Sequence, residues 1–309
     1  MILKFTITAG LATWLLSRVD YDNTRKIFLL IKPQQIAIAV FLHTGTFLLG
    51  ALRWWLLLGY AGISQRFGNI LPSYYLGLFF NNILPTGVGG DVVRSLRLNL
   101  KGLNVETLLG SAIMDRVIGL VAVLLMGTVS LFLSPDIHLT GRERLALLFV
   151  IGVVVLGLWM LSSRRVLALI QSLTEKYHYT RIRRTFLKTM ALCCAYGAAK
   201  KLFLQAFIIS LIAQSLVILV YFYLGRSIGL TLSILTYFSF IPIVFVASSL
   251  PISIGGLGVR EGVLVGLLVG AHVTTELGIA LSLLYLLVLW ISSLPGAIVM
   301  LAAARNKKE

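Results

Sequence analysis

A chain of 309 residues that is 58% hydrophobic and only 12% charged, with a mean hydropathy of +0.95, is not a soluble domain, in which about a quarter of residues carry charge. Its net charge of +16 would suggest nucleic acid in a soluble protein. Here most Lys and Arg fall between apolar runs, where they set topology and meet anionic lipid headgroups, so no nucleic-acid partner is expected. The apolar runs are continuous, whereas a membrane β-barrel needs alternating segments of about ten residues. The expected fold class is therefore an all-α polytopic membrane protein.

In chain order, the first apolar run, about Leu3 to Ser17, reads as a short retained helix. Its core, Ile7 to Leu16, lacks the small-residue cleavage pattern of a removable signal. Arg18 to Gln35 mixes Asp20, Asp22, Arg25, Lys26 and Lys32 with Ile27, Leu30 and Ile31, as an amphipathic surface segment would, and Pro33 ends it. A span is predicted from Ile36 to about Leu58. Near its end, Arg53-Trp54-Trp55 reads as an interfacial anchor, with tryptophans at headgroup depth and a snorkelling arginine. His43 and His272 read as single polar positions near helix ends.

The stretch Pro72 to Leu100 holds only Leu71 to Phe80 as apolar run before Asn81, too short to cross a bilayer. A pair of broken or re-entrant half-helices is expected. A span then runs from Leu108 to Leu133 with Asp115-Arg116 in its first turns, followed by a turn at Ser134-Pro135-Asp136 and a span from Leu145 to Leu161.

Ser162 to Lys201 is a polar insertion with nine Lys or Arg against one acid, Glu175. This charge bias places it in the cytoplasm, lying on the anionic leaflet and its lipid headgroups. Cys193 and Cys194 are adjacent, a poor geometry for bridging each other, and read as reduced thiols. No Cys/His metal spacing is present, and neither a metal nor a cofactor is expected.

The second half offers Leu202 to Leu224, then Leu232 to Leu250 interrupted by Pro242, Val263 to Ala271, and Leu277 to Ala303. Arg305, Lys307 and Lys308 put the C-terminus in the cytoplasm. Gly262, Gly266 and Gly270, four apart, suggest close helix packing. The organisation is thus a first transmembrane half over 1–161, a basic loop over 162–201 and a second half over 202–309. It comprises about six full transmembrane helices and two broken segments.

Those two segments share a skeleton. Leu84-Pro85, three residues, Gly89-Gly90, three residues and Arg94 match Leu250-Pro251, three residues, Gly255-Gly256, three residues and Arg260. Proline and paired glycines release the backbone from helical geometry. In lipid the freed polar groups are tolerated only against protein or a wet cavity. If each segment returns to the side it left, the first opens to the cytoplasm and the second outside, an inverted repeat of the kind transporters use. The four basic residues of Arg18 to Gln35, placed outside by this count, conflict with the charge bias.

Intramembrane charges are costly and mark pathways or partners. Arg94 and Arg260 are candidates for holding a phosphate or other anionic headgroup. Asp91, Asp115 and Glu261 would pair with them or hold a cationic headgroup. Alternatively, Asp91–Arg94, Asp115–Arg116 and Arg260–Glu261 only neutralise one another and lock helices. Asp91 and Arg94 share a helix face. Adjacent residues point to different faces, so Asp115, Arg116, Arg260 and Glu261 are expected to pair across helices.

Asn81-Asn82-Ile83-Leu84-Pro85 with Gly89-Gly90-Asp91 and Arg94, then Asp115-Arg116, then Leu250-Pro251 through Gly255-Gly256 to Arg260-Glu261, resemble the lysylphosphatidylglycerol synthase transmembrane-region family over nearly the whole chain. The resemblance implies a flippase-like bacterial inner-membrane protein that moves phospholipid or lipid-linked headgroups between leaflets. Substrate-binding candidates are Asn81, Asn82, Pro85, Gly89, Gly90, Asp91, Arg94, Asp115, Arg116, Pro251, Gly255, Gly256, Arg260 and Glu261. The soluble aminoacyl-transferring domain of the related resistance factors is not expected in these residues. No nucleophile–base set or P-loop is present, so an enzyme is not expected. Transport would be passive or coupled to an ion gradient through a carboxylate such as Asp91 or Glu261. A second reading is a non-transporting accessory subunit that presents lipid to a membrane-protein partner in the cell envelope.

Overall fold

The computed structural model describes residues 31–84, 89–99, 102–134, 181–249 and 253–305, with isolated positions at 10, 13, 152, 163, 165–166, 168–169 and 172. The spans expected over 3–17 and 145–161 lie outside the described residues. So do Pro85 and Pro251.

The described elements are helical, as lipid requires of a chain that must satisfy its backbone within each segment. They are α1 (Pro33–Tyr60), α2 (Phe67–Ile83), α3 (Gly89–Asn99), α4 (Val105–Leu133), α5 (Arg181–Ala198), α6 (Lys200–Ser227) and α7 (Ile234–Ser249). A 3₁₀ turn (Ile254–Gly256), α8 (Val259–Gly270) and α9 (Thr275–Arg305) complete them. Pro33 opens α1 at its first turn, where no N–H is needed; the segment it was expected to end lies largely outside the described residues.

Among the described residues four helices, α1, α4, α6 and α9, are long and apolar enough to cross a membrane. At 28 residues, α1 extends roughly 42 Å, against a hydrocarbon core of about 30 Å. By contrast α3 has 11 residues, about 16 Å. Large apolar side chains such as Phe41, Leu133, Ile298 and Leu301 point outward and are exposed, as lipid-facing side chains are.

Side-chain contacts set the directions. Arg53 in the second half of α1 reaches Asp115 in the first half of α4 and Ser210 in the first half of α6, so α4 and α6 run antiparallel to α1. His43 and Tyr285 meet in the first halves of α1 and α9, so those two run parallel. The short link after α1 leads into the hairpin α2–α3, which returns to the same end of the bundle, where α4 begins. The link after α6 leads into the hairpin α7–α8 from the opposite end, where α9 begins. Span, hairpin, span therefore occurs twice with opposite direction, the expected inverted repeat.

The first hairpin closes tightly because both of its strands lack side chains where they cross. A Cβ on Gly77 would lie 2.8 Å from the Gly90 carbonyl oxygen and 3.1 Å from the Arg94 Cβ. The two hairpin tips then meet. A Cβ on Gly255 would lie 3.1 and 3.2 Å from the carbonyl oxygens of Asn82 and Asn81. The second tip needs its glycines: Gly255, Gly256 and Gly258 have φ of 57°, 76° and 83°, in the left-handed region that side chains disfavour.

One buried cluster, with Tyr221, Leu224, Leu264, Leu281 and Leu284, joins α6, α8 and α9. A second, with Trp54, Leu58, Ile70, Leu98 and Leu108, seats the first hairpin against α1 and α4.

Two expectations are corrected. Gly262, Gly266 and Gly270 have no described residue within 4 Å of where a Cβ would stand, so they make no close packing among the described helices. The spacing of small residues says nothing about which face is turned inward. The second half of the basic insertion does not simply lie on a surface: Tyr196 of α5 is 1% exposed and its hydroxyl donates to the Leu57 carbonyl at 2.8 Å, while Cys193 and Cys194 are buried and form no disulfide with each other. Amphipathic α5 turns apolar residues onto α1 and α4, where they pack with Leu57, Met114 and Ile118.

Candidate functional site

Arg53 is the residue the sequence misplaced. It is not a snorkelling anchor but is 8% exposed, beside Trp54, which is fully buried. Its Nε donates to Asp115 Oδ1 at 2.5 Å and its Nη1 to Ser210 Oγ at 2.6 Å. Trp54 donates its indole N–H to Ser111 Oγ at 3.0 Å. Only Trp55 keeps partial exposure. Arg53 lies within the span, and its rescuers come from α4 and α6, sequence-distant elements that a local reading does not see.

Arg53 opens a continuous charge cluster. Asp115 accepts from Arg53 on one oxygen and from Arg94 Nη2 on the other, at 3.1 Å. Arg94 also pairs with Asp91 at 3.0 Å across one turn of α3, the pairing its spacing predicted. Asp91 accepts from Arg116 on its second oxygen. The Arg94 guanidinium lies 4.2 Å from the Trp54 ring centroid and 5.0 Å from that of Tyr74, a cation–π seat that fixes it further. Asp115 and Arg116 pair across helices, as expected: Asp115 with α1 and α3, and Arg116 with α3. Asp115 sits about 15 Å into α4 by the rise per residue, about a third of the way along its 29 residues.

The second hairpin carries a separate pair. Arg260 and Glu261 pair with each other, with Nη2–Oε1 at 2.6 Å, not across helices as expected. The reason is local. Glu261 turns back to cap its own helix, its Oε2 accepting from the Gly258 N–H at 2.6 Å, which carries Oε1 onto the Arg260 guanidinium. The matching Gly-Gly pairs also differ in place. Gly89-Gly90 begin α3, whereas Gly255-Gly256 form a turn before α8. Arg94 therefore stands in the second turn of its helix and Arg260 in the first.

Between the tips lies a cavity of about 490 Å³. Its walls include Arg53, Asp91, Arg94, Asp115 and Arg116 from one half and Gly255, Gly256, Arg260 and Tyr285 from the other, with Asn81, Asn82, Gln214, Ser248 and Ser253 between. Gly89, Gly90 and Glu261 do not line it. Gly90 instead presses on α2, where its N–H donates to Asn81 Oδ1 at 2.9 Å. Asn82 Nδ2 donates to Ser293 Oγ of α9 at 3.1 Å.

His43, read as a helix-end position, is also a wall of this cavity. It is 1% exposed and its Nε2 lies 3.2 Å from the Tyr285 hydroxyl. Tyr285 stacks on Tyr221 with centroids 3.9 Å apart, and the Arg260 guanidinium stands 5.6 Å from the Tyr285 ring. A histidine in an apolar run was the available signal; depth in the span could not be read without the true start of α1. By contrast His272 does mark a helix end, just past α8, with φ of 60°.

Chemically the arrangement is a chamber at the meeting of two discontinuous helix pairs, with guanidiniums from both and apolar walls such as Phe47, Leu120, Val217 and Phe245 between them. A family model described as the lysylphosphatidylglycerol synthase TM region matches residues 1–296. A UPF0104 membrane protein (PH1989) of Pyrococcus horikoshii is 21% identical over 180 residues, which cover 57% of this chain and 50% of that protein. The chain thus spans about half the length of that relative.

Proposed function

The chain belongs to the lysylphosphatidylglycerol synthase transmembrane-region family, and from that premise we propose that this multi-pass membrane protein is a flippase-like translocator of phospholipid or lipid-linked headgroups. The observation that carries the reading is the contact of the two oppositely directed hairpin tips around one cavity that holds buried charge, with Arg94 and Arg116 on one wall and Arg260 on the other. A headgroup crosses through the chamber while its acyl tails stay in lipid, and no covalent step is involved. Discontinuous helices at mid-span are the usual construction of a transporter's site. The proposed setting is a bacterial inner membrane with the C-terminus and the 162–201 segment in the cytoplasm, the latter against anionic headgroups.

The arginines divide the work. Arg94 is 3% exposed and holds two carboxylates, so it positions the cluster. Arg116, with 37% of its side chain exposed, and Arg260 are the cations a headgroup meets.

The test is leaflet exchange of acyl-labelled phospholipid in vesicles containing the purified chain. Exchange by the wild type, reduced at least about tenfold in Arg116→Ala and Arg260→Ala variants of unchanged thermal stability, supports the proposal. A folded wild type without exchange, which retains a membrane-protein partner on purification, would replace it with the accessory-subunit reading.

A further inference from the structure

Every carboxylate oxygen at this site is already engaged. Asp115 receives Arg53 and Arg94, one on each oxygen. Asp91 receives Arg94 and Arg116, again one on each. Glu261 receives Arg260 on Oε1 and the Gly258 N–H on Oε2. Donors, by contrast, are in surplus. Three guanidiniums share two carboxylates on the first hairpin's side, which leaves one positive charge in excess. Buried Arg94 Nε finds no acceptor among the described residues, and neither His43 Nδ1 nor Ser253 Oγ has a partner there. His43 and Ser253 both line the cavity, as does Arg94.

We infer that the cavity takes an anionic, phosphate-bearing headgroup and excludes a cationic, aminoacylated one. The inference rests on the translocator reading and names its substrate class. A phosphate oxygen would be met by the Arg116 and Arg260 guanidiniums on the cavity wall, and the planar fork of arginine suits it. An ammonium group would find no free carboxylate. To gain one it would have to break a buried arginine pair while facing the excess positive charge, and discrimination by such repulsion is strong in a desolvated site. The other described walls are uncharged, either polar as at Asn81 and Gln214 or apolar as at Phe47, Leu120 and Phe245, and do not alter this balance.

Arg116 is the adjustable member. It is the least buried of the cluster, and Asp91 is its partner. Arg116→Gln would remove the excess charge and leave one Asp91 oxygen open.

The experiment uses the full chain in phosphatidylcholine vesicles with a trace of acyl-labelled phosphatidylglycerol or acyl-labelled lysyl-phosphatidylglycerol. Leaflet exchange is read by quenching of the outer-leaflet label. The anionic probe is expected to exchange at least about tenfold faster than the cationic one, and Arg116→Gln to bring that ratio toward one. Equal or faster exchange of the cationic probe by the wild type overturns the inference while leaving translocation intact.

If neither probe exchanges, the translocator reading fails, and binding decides the substrate class separately. Thermal stability in detergent is then compared with dihexanoyl-phosphatidylglycerol, its lysyl ester and glycerol phosphate. Stabilisation by the anionic lipid and not by the lysyl ester supports the inference. Equal stabilisation by both, or by the lysyl ester alone, overturns it. Stabilisation by glycerol phosphate and by neither lipid overturns the lipid assignment and leaves a site for a soluble phosphate ester.

Discussion

Asp115 carries more of the architecture than any other charged side chain at the site, because it answers two buried guanidiniums from two different elements. Removing one partner of a buried pair costs about 3–5 kcal/mol, since the other charge is left stranded. Asp115→Asn is therefore expected to lower the thermal midpoint in detergent sharply. Arg53→Met combined with Asp115→Asn should recover part of the loss, because Arg94 keeps Asp91. A double variant as unstable as the sum of its singles would show that Arg53 and Asp115 do not act through one another. Arg53 itself was illegible in the sequence. Flanked by Trp54 and Trp55, it has the local appearance of an interfacial anchor, and its partners Asp115 and Ser210 lie in other spans. Arg260 and Glu261 failed for the opposite reason. Their pairing is wholly local, but depends on Glu261 capping the N-terminus of α8, a backbone fact that side-chain direction alone does not reveal.

At the level of elements, the half-helices were legible because proline and paired glycines interrupt an apolar run, and an interrupted run cannot cross lipid. Which glycines permit close approach was not legible. Gly90 meets the Gly77 carbonyl and Asn81, whereas Gly262 faces open space. Both occur within helices, so one substitution separates packing from propensity. Gly90→Ala is expected to destabilise by about 1–3 kcal/mol through overpacking. Gly262→Ala should be neutral or stabilising by about 0.4–1 kcal/mol through the unfolded chain. Thermal midpoints in detergent check both. A loss at Gly262 and none at Gly90 would reverse the assignment of helix faces.

Across the molecule, the inverted repeat was expected from two short matching strings, and the structure adds what the strings could not contain. The hairpin tips touch, and their walls form one chamber. The equivalence of the strings is looser than their spelling, since the helix begins at Gly89 in one copy and at Val259 in the other. His43, from a span with no part in either string, completes the wall beside Tyr285. The chamber is thus assembled by the packing of spans as much as by the repeated motif, which is why a reading centred on the motif found Arg94, Arg116 and Arg260 but not Arg53 or the full lining.

The central claim is that Arg116 and Arg260, brought from opposite ends of the bundle, act on one headgroup in one cavity. A double-mutant cycle in the exchange rate of labelled phosphatidylglycerol tests it most directly, using Arg116→Lys and Arg260→Lys, which keep the charge but lose the planar fork. Each single variant is expected to slow exchange, and the double variant to be no more than about twofold slower than the worse single, because residues acting as a unit are not additive. Slowing equal to the product of the two single effects would mean two independent sites, and would contradict the shared chamber.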